Sequence, residues 1–258
     1  MRLVATFVLL LTLSAGVGCH GQAAPTDAVF QTSTFPALLA GNYDGRMTFA
    51  ELRRHGDFGI GTIDSLDGEM VAIKGRFYQI RSDGKVYALA EGATTPFASV
   101  KFFRPDQTLS LTGPLTYDAL KARLDAAAPD TSRFCAIRIR GTFAYIRARS
   151  VPRQHPPYPR LTEVVKAQPI FEFRNVEGVL IGYRLPEAAA GLNVPGYHFH
   201  FLSQDRRGGG HVQDVMVRSA VVDMDISDEL TVRLQASPAA QPAAGAKQLE
   251  QETGQVEK

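Results

Sequence analysis

The chain has 258 residues, 45% of them hydrophobic and 21% charged, with a formal net charge of +2. That length can bury a substantial core, and the composition is that of an ordinary soluble globular protein. The charges are spread out, with no basic run or interleaved aromatic platform, so no nucleic-acid partner is expected and nothing points to an anionic membrane surface.

Residues 1–19 read as a targeting segment. Arg2 gives a short positive start, and residues 3–13 form an apolar stretch too short to span a bilayer. Ser14 to Gly18 then leads into Cys19, in a pattern that resembles a bacterial lipoprotein signal with Cys19 as the acylated first residue. Gly16 stands where such signals usually carry Leu, so ordinary cleavage nearby is the competing reading. Both readings export the protein, either as a lipid-anchored or periplasmic form or as a secreted one. Only Cys135 then remains, which excludes an intramolecular disulfide, and its place in the apolar run FCAIRI predicts an inert buried thiol.

Residues 20–30 form a polar, Pro-containing tether, followed by an N-terminal α+β part over 31–165. Helical spacing appears at 35–41 and 47–56, the second ending in basic residues and Gly56. From 57 to 103 short strands are separated by turns, and Asp67-Gly68 and Asp83-Gly84 each mark a hairpin. Residues 116–127 read as an amphipathic helix with Leu120 and Leu124 at i, i+4. Residues 134–151 read as a hairpin around Gly141, with Tyr145, Arg147 and Arg149 on one strand face. A C-terminal β-rich part spans 166–235 and opens with another hairpin at 169–186. The tail, 236–258, is Ala/Pro-rich and then charged, and is either disordered or folded back. The sum is an α+β chain of mostly antiparallel, barrel-like β-sheet with few helices.

The segment GYHFHFLSQDRRGGGHVQD, 196–214, carries the chemistry. Strand side chains alternate faces, so His198 and His200 point the same way. Gly208–Gly210 supplies a turn from which a returning strand brings His211 back against that pair. Three neutral histidines with an open fourth position are the ligand set of a catalytic zinc ion, although such a site also accepts Fe, Co, Ni or Cu. Asp214 is placed either to hold the far nitrogen of a ligand or as a surface charge. His20, His55 and His155 lie in polar or Pro-rich surroundings and are expected at the surface, as are Asp205, Arg206 and Arg207 at the hairpin tip.

GDFGIGTIDSLDGEM (56–70), RSDGKVYALAEGATTPFASVKFF (81–103), QPIFEFRNVEGVLIGY (168–183) and the histidine segment together resemble the bacterial α-acetolactate decarboxylases, block by block and in order. The resemblance covers about residues 30 to 230. It implies zinc-dependent decarboxylation of 2-acetolactate to acetoin and carbon dioxide, through a metal-stabilised enediolate that is then protonated stereoselectively. It implies zinc held by His198, His200 and His211, with Glu69 and Arg149 in the active site, and a homodimer is expected. It also implies a second glutamate near the C-terminus. Glu252 is the best match, with Glu250 and Glu257 close enough to compete; the stretch before it, PAAQPAAGA, lacks the polar residues common in that family. Two other readings stand beside this one. An exported metal-binding protein of the same fold that has lost catalysis would keep the histidines. A cupin-like oxygenase would need a carboxylate a few residues after His200, where the sequence has FLSQDRRGGG.

Overall fold

The computed structural model describes residues 27–235 and 245–257. The targeting segment and most of the tether (1–26) lie outside the described residues, as does 236–244. The first part of the chain forms β1 (Val29–Thr32), α1 (Phe35–Leu39), β2 (Met47–Thr48), α2 (Phe49–Leu52), β3 (Phe58–Thr62), β4 (Glu69–Ile73), β5 (Arg76–Ile80), β6 (Val86–Ala88), β7 (Thr94–Thr95) and β8 (Ala98–Lys101). The second forms β9 (Gln107–Thr116), α3 (Tyr117–Ala127), β10 (Phe134–Arg149), α4 (Leu161–Val164), β11 (Ile170–Leu185), β12 (Gly196–Ser203), β13 (Gly209–Ser227), β14 (Leu230–Arg233) and α5 (Ala246–Val256).

Two sheets carry the fold. The first runs β14-β1-β8-β3-β4-β5-β6 and is antiparallel except where β1 meets β14. In the second, β10 pairs with β11 on one edge and β13 on the other, β11 pairs with β12, and β12 returns to β13. Those four antiparallel strands close a ring, and β9 adds to β13. This is the mostly antiparallel, barrel-like α+β architecture the strand patterns predict.

Alternation along the strands sorts side chains between two cores. Phe143, Phe199 and Phe201 belong to the core of the second sheet, which α3 joins through Leu120 and Leu124. Each such phenylalanine contributes roughly 1.5–3 kcal/mol by leaving water. The other core lies between the sheets, where Ile60, Val71 and Ile80 of the first meet Ile181, Tyr183 and Leu202 of the second. Thr116 starts α3 by accepting from the Ala119 amide at 3.3 Å, a standard N-cap.

The long strands correct several local expectations. Residues 134–149 and 170–185 are not hairpins but single 16-residue strands. Gly141 marks a close approach rather than a turn, since a Cβ there would lie 2.1 Å from the Ser219 carbonyl oxygen of β13. The histidine hairpin turns at 204–207, where the Ser203 hydroxyl accepts from the Arg207 and Gly208 amides. Gly209 and Gly210 already belong to β13, and a Cβ on Gly210 would sit 2.5 Å from the Arg149 carbonyl oxygen. Helix spacing over 47–56 yields only Phe49–Leu52, entered from the short β2 and capped by Thr48. The division at residue 165 falls between β10 and β11, which pair along nearly their whole length, so the second sheet draws on both sides of it. At the tether's end, Val29 and Phe30 are already strand residues of β1.

Candidate active site

Three neighbouring strands set the centre. On β12 the odd residues Phe199 and Phe201 enter the core of the second sheet, so His198 and His200 face the first sheet. His200 is directly opposite His211 on β13, and His211 is directly opposite Arg149 on β10. Cross-strand partners share a sheet face, so Arg149, His211 and His200 form one row. His198 Nε2 lies 3.0 Å from His211 Nδ1, and one nitrogen from each of the three rings falls within 4.8 Å of the others.

His200 is oriented by the backbone of the first sheet. Its Nδ1 lies 2.8 Å from the Met70 carbonyl oxygen, which can only accept, so Nδ1 carries the hydrogen and Nε2 keeps its lone pair. Among the described residues that Nε2 is buried without a hydrogen-bond partner, as a metal-ligating nitrogen would be. Asp214 does not take the orienting role: it is exposed, lies opposite Arg147 in the ladder, and accepts from the Val215 amide.

Two carboxyls approach the histidines. Glu69 begins β4, is 7% exposed, and places Oε2 3.5 Å from His200 Nε2. Burial pushes its pKa up to about 7, with Arg149 working against the rise and Glu257 adding to it. Glu257 follows the last residue of α5 and lies 3.8 Å from His211 Nε2 and 4.0 Å from His198 Nδ1. Burial also raises its pKa to about 7, against the pull of Arg149.

The tail glutamate in the site is therefore Glu257, not Glu252. Glu252 accepts from Arg160, and from Gln248 Nε2 at 2.9 Å, on the flank of α5. Burial opposes its ionisation, yet those hydrogen bonds hold its carboxyl below the ordinary range. Glu250 is exposed. No sequence signal separates the three: Leu249 and Val256, spaced i, i+7, pack α5 into the core cluster around Phe35 and Leu39, and Glu252 lies on that same helix face. What brings Glu257 inward is its place just past the end of α5, where Arg149 holds the Val256 carbonyl.

Arg149 is buried, at 2% exposure, while Arg147 on the same strand is exposed. Arg149 Nη1 donates to Gln168 Oε1 at 2.7 Å and Nη2 donates to the Val256 carbonyl, so this side chain also fastens the end of α5. His55 stacks on Phe30 at 3.8 Å and His155 is exposed, both away from the centre, and His20 lies outside the described residues. Residues 205–207 are exposed at the hairpin turn, and Cys135 is a buried free thiol.

The electrostatics suit a cation. Burial first, and Arg149 second, push the pKa of His198 down to about 3. His200 and His211 are held well below the usual histidine range, again mainly by burial. All three rings are thus neutral with lone pairs available, and a nitrogen donor set of this kind fits a borderline divalent ion such as zinc. Beyond the histidines a chamber holds about 610 Å³ of atom-free space, opening included, with Phe35, Leu66, Phe97 and Val151 among its apolar walls.

A three-histidine group, with His200 and His211 buried and His198 half-buried, two protonatable carboxyls and one arginine, framed by antiparallel sheets, defines a candidate metal-dependent catalytic centre. The family model described as alpha-acetolactate decarboxylase matches residues 29–242. An alpha-acetolactate decarboxylase from Methylococcus capsulatus is 48% identical over 206 residues, 80% of this chain and 79% of the relative. One from Methanosarcina mazei is 43% identical over 233 residues, 90% of this chain and 81% of the relative. The crystal structure of alpha-acetolactate decarboxylase from Bacillus subtilis strain 168 superposes with a TM-score of 0.86 at 36% identity, covering 89% of this chain and 99% of that one. The chain belongs to the alpha-acetolactate decarboxylase family, and so to the carboxy-lyases.

Proposed function

We propose that this chain decarboxylates 2-acetolactate to acetoin and carbon dioxide, with zinc held by His198, His200 and His211. The observation that carries the reading is the convergence of Glu69, Arg149 and Glu257 on the three neutral histidines. A protein that only stored or carried the metal would have no use for two carboxyls kept near neutrality.

Bound zinc would supply a Lewis acid where negative charge develops on the substrate oxygens. The chain's residues supply the rest. The substrate carries a carboxylate next to a carbinol carbon that bears a ketone. Breaking the bond to the carboxylate releases carbon dioxide and sends the electron pair towards the ketone oxygen. Arg149, whose Nε has no hydrogen-bond partner among the described residues, offers a planar cationic fork to the carboxylate or to the developing enediolate. Arg149 also holds the Val256 carbonyl, which keeps Glu257 beside the histidines. The carbon that has lost carbon dioxide then takes a proton, and a buried carboxyl beside the histidines, Glu69 or Glu257, is placed to donate it. Glu69 comes from the first sheet and Glu257 from the tail, so the two approach from different elements. A fixed donor on one side protonates one face of the planar enediolate, which sets the configuration of the acetoin. The apolar walls exclude water and strengthen these charge interactions.

The decisive experiment combines metal analysis of the purified protein with acetoin release from racemic acetolactate. Stoichiometric zinc, acetoin formation, and loss of both in His200→Ala support the reading; full metal content in His200→Ala refutes the site. We propose also that the chain is exported, with Cys19 as lipidation site or removed by cleavage, and that it works as a homodimer. Incorporation of labelled fatty acid into the wild type but not Cys19→Ser tests the anchor.

A further inference from the structure

Basic residues are scattered along the sequence, but the fold gathers five of them around one groove. Lys74 and Arg76 flank Gly75 in the tight turn that joins β4 to β5. Lys74 and Gly75 both have positive φ there, 51° and 71°, as a two-residue hairpin turn of the primed type requires. Arg138 and Arg140 come from one face of β10, and Arg206 comes from the hairpin tip between β12 and β13. Both sheets thus wall the groove, which holds about 1460 Å³ of atom-free space, opening included. It shares no lining residue with the histidine chamber, and Lys74 lies beyond the end of β4 opposite Glu69.

Charge in the groove is one-sided. Among its described walls only Glu177 is acidic, and Asp223 beside them pairs with Arg138 at 3.0 Å and with Arg140 at 3.1 Å. Five cations against these two carboxylates leave a net charge of +3. Lys74 and Arg76 make no ion pair among the described residues. At the tip, Asp205 and Arg207 next to Arg206 cancel each other. Two of the arginines are already held in place, Arg138 over the Phe103 ring and Arg206 over the Tyr78 ring, each at 4.8 Å from the centroid. A guanidinium fixed in this way loses little freedom when its planar fork takes up oxygens.

We propose that this groove is a binding site for a ligand carrying several phosphate charges, received by the arginine forks together with Lys74 and Arg76. Uncompensated positive charge repels itself in the folded chain, and a bound polyanion removes that repulsion while the concave, low-dielectric walls strengthen the attraction. Phosphate is the fitting group because its oxygens match the arginine fork two at a time. Cations spread over both sheets call for several such groups rather than one. Two sources carry this chemistry, a free polyphosphate and a set of neighbouring lipid phosphate headgroups. The inference is independent of the decarboxylase reading, since the groove and the histidine centre have no wall in common.

Calorimetric titration of the zinc-loaded protein with cyclic trimetaphosphate, a trianion that binds metal ions weakly, tests the site. Binding should be saturable and should weaken steeply as salt is added. The double variant Lys74→Glu/Arg76→Glu reverses two of the five cations and takes the groove's net charge from +3 to −1. It should bind trimetaphosphate more than about tenfold more weakly at low ionic strength. Both positions are exposed and outside the histidine centre, so zinc content and circular dichroism should equal those of the wild type. Vesicles of phosphatidylglycerol separate the two sources. Cosedimentation of the wild type well above that of the double variant identifies lipid headgroups as a ligand. Trimetaphosphate binding with no such difference on vesicles identifies a free polyphosphate. Equal affinity for tricarballylate, a carboxylate trianion, overturns phosphate as the ligand class. If the wild type binds neither trimetaphosphate nor the vesicles, or if the double variant binds them equally well, the site is refuted.

Discussion

Exchanging Glu257 for Gln should cost far more activity than exchanging Glu252 for Ala. Glu257 lies within 4.0 Å of two of the histidines, and burial raises its pKa above the ordinary carboxylate range in the metal-free chain. Gln keeps the shape and loses the transferable proton. General acid–base groups of this kind contribute about 10²–10⁴ in rate, so kcat should fall at least on the order of a hundredfold, equal to about 2.7 kcal/mol. Glu252 is some five residues earlier, tied to Arg160 and Gln248. Its ion pair is partly exposed, with the two side chains at 24% and 11%, and is worth on the order of 1 kcal/mol in docking α5. Glu252→Ala should therefore lower the rate less than about tenfold, through partial undocking of α5. The assay is initial acetoin release at saturating acetolactate by each zinc-loaded variant, with metal content measured alongside. A larger loss in Glu252→Ala, or a wild-type rate in Glu257→Gln, would refute the placement of the tail.

Arg149→Ala should retain zinc and lose roughly a hundredfold or more in kcat, the usual cost of removing an oxyanion-stabilising group; Arg147→Ala, exposed on the same strand, should stay within about twofold. Acetoin from Glu69→Gln should form slowly and with reduced enantiomeric excess, read by chiral chromatography, because the buried donor next to His200 is gone. Stability of the metal-free protein should rise with pH between 4.5 and 6.5. In that window the unfolded chain protonates the three site histidines, whose folded pKa values are strongly depressed, and in part His55, whose value is also lowered, while the folded protein protonates two carboxyls whose values are raised, a net uptake on unfolding of at least 3 − 2 = 1 proton. The expected slope is at least about 1.4 kcal/mol per pH unit, and urea titrations that show a flat or falling profile would contradict the burial of the histidines.

The histidine set was legible because it depends on the shortest-range rule available, the two-residue alternation of a strand, and on a return from one local turn. The glycine signal was read less well. Glycine serves both turns and close strand approaches, and at Gly141 and Gly178 the second use prevails, so two expected hairpins are single long strands, while at Gly209 and Gly210 the hairpin is real but its turn lies earlier, at 204–207. Arg147 and Arg149 share a strand face and could not be separated by alternation. What separates them is cover supplied to Arg149 by Gln168 and Val256, 19 and 107 residues further along the chain. The tail failed for a related reason. A helix that begins after an Ala/Pro-rich stretch looks solvated in sequence, and only docking against α1 and α4 buries Val256 and turns Glu257 inward.

The distribution of these residues over the fold bears on whether such a centre can bind metal without catalysis. All three histidines lie on β12 and β13, within 14 residues of one another, and His200 is fixed by a main-chain carbonyl rather than by a side chain. The carboxyls arrive separately, Glu69 from the first sheet and Glu257 from a helix anchored by Arg149 and Arg160. Metal affinity therefore depends on the histidine hairpin and on its packing against β4 of the first sheet, whereas proton delivery depends in addition on α5 staying docked. Perturbing the α5 anchors should separate the two properties, leaving zinc bound while turnover falls. In a protein kept only for its metal, the anchors could be lost without consequence. This chain retains both anchors and both carboxyls, which is the physical reason to prefer the enzyme over a catalytically dead relative of the same fold.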